Sequence, residues 1–248
     1  MIKFFRRIRQ KLLTENKFSK YLLYAFGEIV LVVIGILIAL QINNWNIDRI
    51  SDKQMTSYIL GLKEDLKIDT LNFSKAIKIY EYSVDLRNNL MPLSDYENIP
   101  TDSILQLIIP YYSNQRLVTH TFNKITNSGI TQISKNDSLS QKIYNYYTTN
   151  LEKFHRSLDW DKEKTTVDAD YWIYGQNLFE IKWTNGITRL KDEVTSRVHL
   201  TTLMSEPKGR NHLNLTHLRK KRVLENYLDT RKIAEELIIE IEKELNSK

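Results

Sequence analysis

The chain has 248 residues, of which 42% are hydrophobic and 27% charged, and its formal net charge is +6. This balance is typical of a globular protein, and the 7 glycines and 4 prolines are too few for a collagen-like or low-complexity chain. Because the sequence contains no cysteine, it excludes a disulfide framework, a thiolate metal site and a cysteine nucleophile.

The positive charge is concentrated in residues 1–20, which contain seven basic side chains and one acidic side chain. Ile2, Phe5, Ile8 and Leu12 recur there at spacings of three and four residues, which predicts a short amphipathic helix lying on a membrane surface. We expect this cytoplasmic tail to bind anionic lipids of the bilayer. Since the rest of the chain is nearly neutral, the basic character does not indicate a nucleic-acid-binding protein, and no nucleic-acid partner is expected.

Residues 21–43 form a predicted transmembrane helix. Within Tyr21 to Ile42 only Glu28 and Gln41 are strongly polar, and 22 residues of helix rise about 33 Å, enough for a hydrocarbon core of about 30 Å. No pattern of small residues marks a cleavage site after the apolar run, which favours an uncleaved anchor over a signal peptide. The basic residues before the span then predict a cytoplasmic N-terminus and a periplasmic domain over residues 44–248.

Glu28, Gly35 and Ala39 lie on one face of this predicted span, because successive residues of a helix are about 100° apart. Small residues four positions apart let a second helix approach closely, and an ionisable group inside a bilayer favours a partner. The face therefore suggests contact with a second copy or with a partner transmembrane protein. The alternative is that Glu28 reaches the cytoplasmic headgroups and Gly35 faces lipid.

Beyond the span, apolar residues recur at helical spacing, which predicts an all-α fold. The first helix continues from the span into the domain and ends near Asn88-Asn89. Because the first and last helices are the longest, we expect them to pack together as the frame of a helical bundle. Gly129 is expected to close one helix and Asn136 or Asp137 to begin the next. Further helices are predicted over residues 103–112, 122–128, 138–158 and 171–183, and from Pro207 onward, while residues 184–205 leave helix and strand open.

Two blocks of the sequence carry a resemblance to a family. One is GEIVLVVIGILIALQINNWN at residues 27–46, preceded by MIKFFRRIRQKLL, and the other spans residues 122–139 with Phe122, Ile125, Ser128-Gly129-Ile130 and Asn136-Asp137. Together they resemble an uncharacterised family, a domain of unknown function, of single-span inner-membrane proteins of Gram-negative bacteria. The resemblance implies a membrane topology and a helical fold, and it implies no catalytic residue.

Motifs for catalysis or metal binding are missing from the sequence. The five histidines are scattered, and no H-E-x-x-H, G-x-S-x-G or phosphate-binding loop occurs. The carboxylates around Asp161 alternate with lysines, and the basic run at residues 219–222 precedes several acids, so we interpret both as solvated helix faces. We therefore expect no metal, no cofactor and no enzymatic activity.

Four aromatic residues form the best candidate ligand pocket: Tyr171, Trp172, Tyr174 and Trp183. Such side chains bind small ligands, but they fill interfaces between helices equally well. The leading hypothesis is thus a membrane-anchored, non-enzymatic protein that acts through protein–protein contacts at the inner membrane. The alternative is a periplasmic sensor that binds a small ligand at these aromatics and signals through a partner, and an enzyme with a site lacking known motifs ranks third.

Overall fold

The computed structural model describes residues 18–93, 96, 98–184 and 187–247, so most of the predicted basic tail lies outside it. The chain divides into two units, Met1–Ser57 and Tyr58–Lys248. The fold is all-α apart from one small hairpin. Its elements are α1 (Phe18–Leu90), α2 (Thr101–Ile108), α3 (His120–Asn127), α4 (Asp137–Asn145), α5 (Leu151–Ala169), β1 (Ile181–Thr184), β2 (Ile187–Leu190), α6 (Glu193–Ser205) and α7 (Pro207–Asn246).

In the first unit, α1 is a helix long and apolar enough to cross a membrane. The large apolar side chains that the structure describes between Leu22 and Ile42 are exposed. Glu28, Gly35 and Ala39 all lie on this part of α1. A Cβ built on Gly35 would meet no atom within 4 Å, which leaves this position open.

In the second unit, α1 contributes a buried stripe at the positions that the apolar spacing predicts. The rings of Phe73 and Tyr80 lie 5.9 and 5.5 Å from that of Tyr227 on α7, and the Lys63 Nζ lies 3.2 Å from a carboxylate oxygen of Glu242. The prediction that the first and last helices pack together is therefore confirmed within this unit. The buried residues of the stripe are Ile59, Leu62, Leu66, Phe73, Ile77, Tyr80 and Val84.

Helices α4 and α5 are joined by a π-helical turn, Tyr146–Asn150, so the helix predicted to end near Leu158 continues to Ala169. A π turn widens a helix locally and redirects neighbouring side chains. Here it accompanies the burial of two consecutive rings, Tyr146 and Tyr147. The ring of Tyr147 stacks on Phe122 of α3 at 4.8 Å, which ties the two helices together.

The helix predicted over residues 171–183 is wrong beyond Tyr174. A second π turn, Asp170–Tyr174, ends where the Gly175 N–H donates to the Asp170 carbonyl, and Trp183 lies in β1. Strands β1 and β2 pair antiparallel, with Ile181 opposite Leu190. These strands are rich in β-branched and aromatic residues, which favour strand over helix.

Residues 193–205, left open by the sequence, form helix α6. Its buried side chains Leu200, Leu203 and Met204 share one face at helical spacing, and this spacing favours a helix over a strand. The corner between α6 and α7 is tight: a Cβ on Gly209 would lie 2.0 Å from the Leu203 carbonyl oxygen. Only glycine permits this close approach.

Candidate functional site

The central sequence block, residues 122–139, forms the corner between α3 and α4. Gly129 adopts the left-handed conformation with a φ of 69°, as expected for the residue after a helix end. The Asn136 side-chain oxygen accepts hydrogen bonds from the N–H groups of Ser138 and Leu139 at 3.0 and 3.3 Å. Both capping predictions are confirmed. The block therefore has a structural role, which is to turn the chain from α3 into α4.

Two buried carboxylates of α1, the Asp65/Asp69 pair, accept hydrogen bonds from the segment that leads into this block. Asp65 accepts the Thr121 N–H at 2.9 Å, and Asp69 accepts the Val118 N–H at 3.0 Å and the Tyr146 hydroxyl at 3.2 Å. Thr121 lies in the first turn of α3, so Asp65 binds an N–H group that the helix itself leaves free. Burial raises the pKa of Asp69 to about 6, although both of its hydrogen bonds act in the opposite direction.

A second group of buried charges, the ion cluster, joins α5 to α7 and comprises Asp161, Asp168, Arg219 and Lys220. Asp161 accepts the Arg219 Nε–H at 2.9 Å and the Lys220 ammonium at 2.8 Å. It also accepts the Tyr80 hydroxyl of α1 at 2.8 Å, so three helices meet at this carboxylate. All four charged side chains are buried.

Asp168, the other acid of the ion cluster, lies one to two turns further along α5. It accepts hydrogen bonds from Arg219, from the Thr216 hydroxyl at 2.8 Å, and shares one with the His212 Nδ1 at 2.9 Å. Burial acts to raise the pKa of Asp168, but the His212 and Arg219 hydrogen bonds outweigh it and hold the pKa below its usual value. The ring of His212 in turn stacks on Tyr171 at 4.1 Å.

A cavity of about 180 Å³ lies beside the ion cluster and is lined by Arg87, Arg219, Lys220, Asp168 and Trp172 among others. Five further lining residues are exposed and form its mouth: Ile79, Tyr82, Gln106, Pro110 and Tyr111. The Tyr82 hydroxyl donates to the Gln106 side-chain oxygen, which links α1 to α2 across this mouth.

Arg87 is the least satisfied cation of the cavity wall. It is 3% exposed, and it donates to the Ser83 and Leu107 carbonyls, each at 2.9 Å, and to the Ser83 hydroxyl at 2.6 Å. Its Nε–H is buried and has no partner. Within the described part of the chain no carboxylate forms an ion pair with it.

Burial also changes the proton affinity of the cations around this cavity. Burial, together with the nearby Arg219 charge, lowers the pKa of Arg87 to about 10 against the opposing effect of Asp168 and Asp161. Burial lowers the pKa of Lys220 to about 8, because the attraction of Asp161 offsets only part of the desolvation. The region therefore holds more positive charge than its own acids neutralise.

The interpretation of both charged segments as solvated faces is wrong for Asp161, Arg219 and Lys220, although Lys221 and Arg222 are exposed. One signal in the sequence could have found them. The apolar stripe of α7 passes through Tyr227 and, continued backwards by seven residues, reaches position 220. A basic residue on the buried stripe of a helix requires an acidic partner inside the core.

The four aromatic residues of the candidate pocket lie in different surroundings. Only Trp172 lines the cavity, whereas Tyr171 stacks on His212. Tyr174 and Trp183 are 79% and 72% exposed. The structure thus places one of the four at a cavity.

An exposed row of residues on α1, the outer stripe, is the other feature of this unit that could bind a ligand or partner. Its apolar members alternate with Glu64 and Lys75 at spacings of three and four residues, which keeps the row within an arc of about 100°. The apolar members are Leu60, Ile68, Leu71, Ile79 and Tyr82, all exposed.

Among the residues that the structure describes, no three histidine, aspartate or glutamate side chains come together as metal ligands.

No curated protein and no solved structure matches the sequence. The model of a family of unknown function, DUF6090, matches residues 28–167, which include α1 from Glu28, the central block and most of α5. The match covers more than half of the chain, and the chain therefore belongs to the DUF6090 family.

Proposed function

We propose that this protein is a single-span protein of the inner membrane whose periplasmic helical domain acts without catalysis, by binding a helix of a partner protein. The observation that carries the proposal is the outer stripe of α1. Five large apolar side chains exposed along one face are unusual for a helix that contacts only solvent.

The membrane part of the proposal is supported by the apolar, uncovered segment of α1 and by the basic residues that precede it. Since the chain has no native cysteine, single cysteines report its topology. Ser51→Cys should react with a membrane-impermeant thiol reagent once the outer membrane is permeabilised, and Thr14→Cys only after the inner membrane is lysed. The opposite pattern, or release of a shortened soluble form, would contradict the topology.

The spacing of the outer stripe indicates a helical partner. The positions from Leu60 to Tyr82 follow each other by four, four and three residues, an 11-residue repeat that keeps a seam on one face of a helix. Glu64 and Lys75 are one repeat apart, which is about 16 Å along the axis. We therefore expect the partner helix to present an apolar seam with a basic residue at Glu64 and an acidic residue at Lys75.

A second copy of the chain fits the outer stripe less well than such a partner. Two parallel copies of α1 in register would place Glu64 opposite Glu64 and Lys75 opposite Lys75, and like charges in these positions are destabilising. A partner helix with a basic residue at Glu64 and an acidic residue at Lys75 avoids both repulsions. The charge pattern thus favours a different protein over self-association.

A photo-crosslinking amino acid at Leu71, compared with one at the exposed Ile239 of α7, tests the proposal in cells. We expect one discrete adduct with a different protein from position 71 only. Ile68→Glu should abolish the adduct, and Lys75→Glu should weaken it, because it places two acids opposite each other. An adduct that consists of two copies, or an adduct unaffected by both substitutions, would contradict the proposal.

A second candidate function is a sensor of a small ligand, and the cavity beside the ion cluster favours it. Enclosed cavities with apolar walls and a few polar groups are the usual sites for small molecules. The aromatic residue that supports this candidate is Trp172, which lines the cavity.

A further inference from the structure

The charges around the cavity do not balance. Three buried cations, Arg87, Arg219 and Lys220, line its wall, while the acids in this region are Asp161 and Asp168. Both acids are bound by Arg219 or Lys220. One positive charge is left over, and it belongs to Arg87.

An isolated charge inside a protein is costly, so buried cations are paired with an acid or bind an anion. Two carbonyl oxygens and one hydroxyl oxygen accept hydrogen bonds from Arg87, but none of them carries the negative charge that would balance it. The free Nε–H adds a donor that nothing in the described chain accepts. A guanidinium with an unused donor binds a carboxylate well, because its planar nitrogens match the two oxygens.

The other residues of the cavity wall restrict the size and polarity of the rest of the ligand. Leu86, Leu107, Ile108 and Trp172 present mainly apolar surface. Cavities of about 150 Å³ hold a benzene molecule, so about 180 Å³ leaves room for one such ring with a single acidic group. A phosphate or a dicarboxylate would bring more negative charge than the single surplus cation neutralises.

We propose that this cavity binds a small monocarboxylate with an apolar body about the size of one aromatic ring, and that its carboxylate pairs with Arg87. This inference gives the second candidate function its ligand class, and its argument does not rest on the partner proposed for the outer stripe. The ligand enters at the exposed part of the lining, which consists of Ile79, Tyr82, Gln106, Pro110 and Tyr111.

The test uses the full-length protein in mild detergent with sodium benzoate as the probe. Benzamide serves as its uncharged counterpart and sodium phosphate as the inorganic anion. We expect about 10 mM benzoate to raise the Tm by about 3 °C or more, and benzamide to bind at least roughly tenfold more weakly in calorimetric titration. Equal effects of benzoate and benzamide, stabilisation by phosphate alone, or no stabilisation by benzoate would each overturn the proposal.

Arg87→Met separates ligand binding from a structural role of this side chain. We expect it to weaken benzoate binding roughly tenfold or more while leaving the Tm of the ligand-free protein unchanged or higher, because it removes an unpaired buried charge. The control is Arg156→Met, an exposed arginine of α5, which should change neither quantity. A lower ligand-free Tm together with unchanged benzoate affinity would show that Arg87 is structural.

Leu86→Phe provides a second variant that keeps Arg87 and fills the cavity. We expect the variant to fold, since Leu86 is only half-buried, and to lose benzoate binding. Retained affinity would place the ligand elsewhere and overturn the proposal. Crosslinking from Leu71 is expected to persist in both cavity variants. A failure of the ligand proposal can therefore be distinguished from a failure of the partner hypothesis.

Discussion

Asp65 and Asp69 of α1 and Asp161 and Asp168 of α5 are two pairs of buried carboxylates, and they bind different kinds of donor. The first pair accepts backbone N–H groups at the entry to the central block, together with one hydroxyl. The second pair accepts charged donors from α7. Each pair connects helices that are distant in the sequence.

One carboxylate of each pair, Asp69 and Asp168, shows the effect of the different donors on the pKa. Without a cation to stabilise its charge, Asp69 has a pKa raised to about 6 by burial, whereas Asp168, bound by Arg219 and His212, has a lowered pKa. The backbone and hydroxyl donors of Asp69 lower its pKa by less than burial raises it. Cationic donors keep a carboxylate ionised, but they also bring charge into the core, and near Arg87 this charge is not fully balanced.

The largest loss of stability is expected from Asp161→Asn. Asparagine keeps the shape of the side chain but leaves Arg219 and Lys220 buried without this acid, and breaking a buried ion pair from one side costs about 3–5 kcal/mol. The measurement is urea unfolding of the full-length protein in mild detergent, followed by circular dichroism. Asp159→Asn is the matched control, because its exposed pair with Arg116 contributes only about 0–1 kcal/mol.

Asp69→Asn is expected to change the way in which the stability of the protein depends on pH. The folded-state pKa of about 6 exceeds the ordinary value of 3.8, so between these values the folded protein holds a proton that the unfolded chain has released. The stability from this group is complete below about pH 4 and is lost as the pH rises through 6, by roughly 3 kcal/mol in total. The free energy of unfolding, measured from about pH 4 to 7, should decrease less in Asp69→Asn than in the wild type. Asp85→Asn, on an exposed part of α1, should retain the wild-type slope, and an unchanged slope in Asp69→Asn would refute the assignment.

The smallest effect is expected from Asn136→Ala at the cap of α4. Its side-chain oxygen binds two N–H groups close in sequence, whereas Asp65 binds one from another helix. Loss of an N-terminal cap costs about 1 kcal/mol. Asn127→Ala, at an exposed position in α3, is the control for the same unfolding experiment. A loss as large as that of Asp161→Asn would mean that the central block depends on this cap as heavily as the core depends on its ion cluster.

Local features of this protein could be predicted from the sequence. The cap at Asn136, the left-handed Gly129 and the start of α7 at Pro207 each depend on residues a few positions apart. The buried stripe of α1 follows from apolar spacing alone. The ion cluster could not be predicted in this way, because its bonds join Asp161 to residues 58 and 59 positions away and only the packed fold brings them together.

The hairpin was predictable in principle. In the sequence, an Asn-Gly pair at residues 185–186 separates two short runs of β-branched and aromatic residues, which is the strongest short-range signal for two antiparallel strands. The prediction of a helix over residues 171–183 does not take this signal into account. Trp183 consequently belongs to an exposed strand rather than to a helical pocket.

Ile79 and Tyr82 belong both to the outer stripe and to the mouth of the cavity. A helix seated on the end of the stripe would cover these two residues and narrow the exit from the cavity, which would then lie beside Gln106, Pro110 and Tyr111, the other exposed residues of the lining. Release of a bound molecule would be slower while that helix is bound, so whatever stabilises the partner would lengthen the residence time of the ligand. If a bound ligand also holds Tyr82 in the position that the partner contacts, each of the two raises the affinity of the other by the same factor.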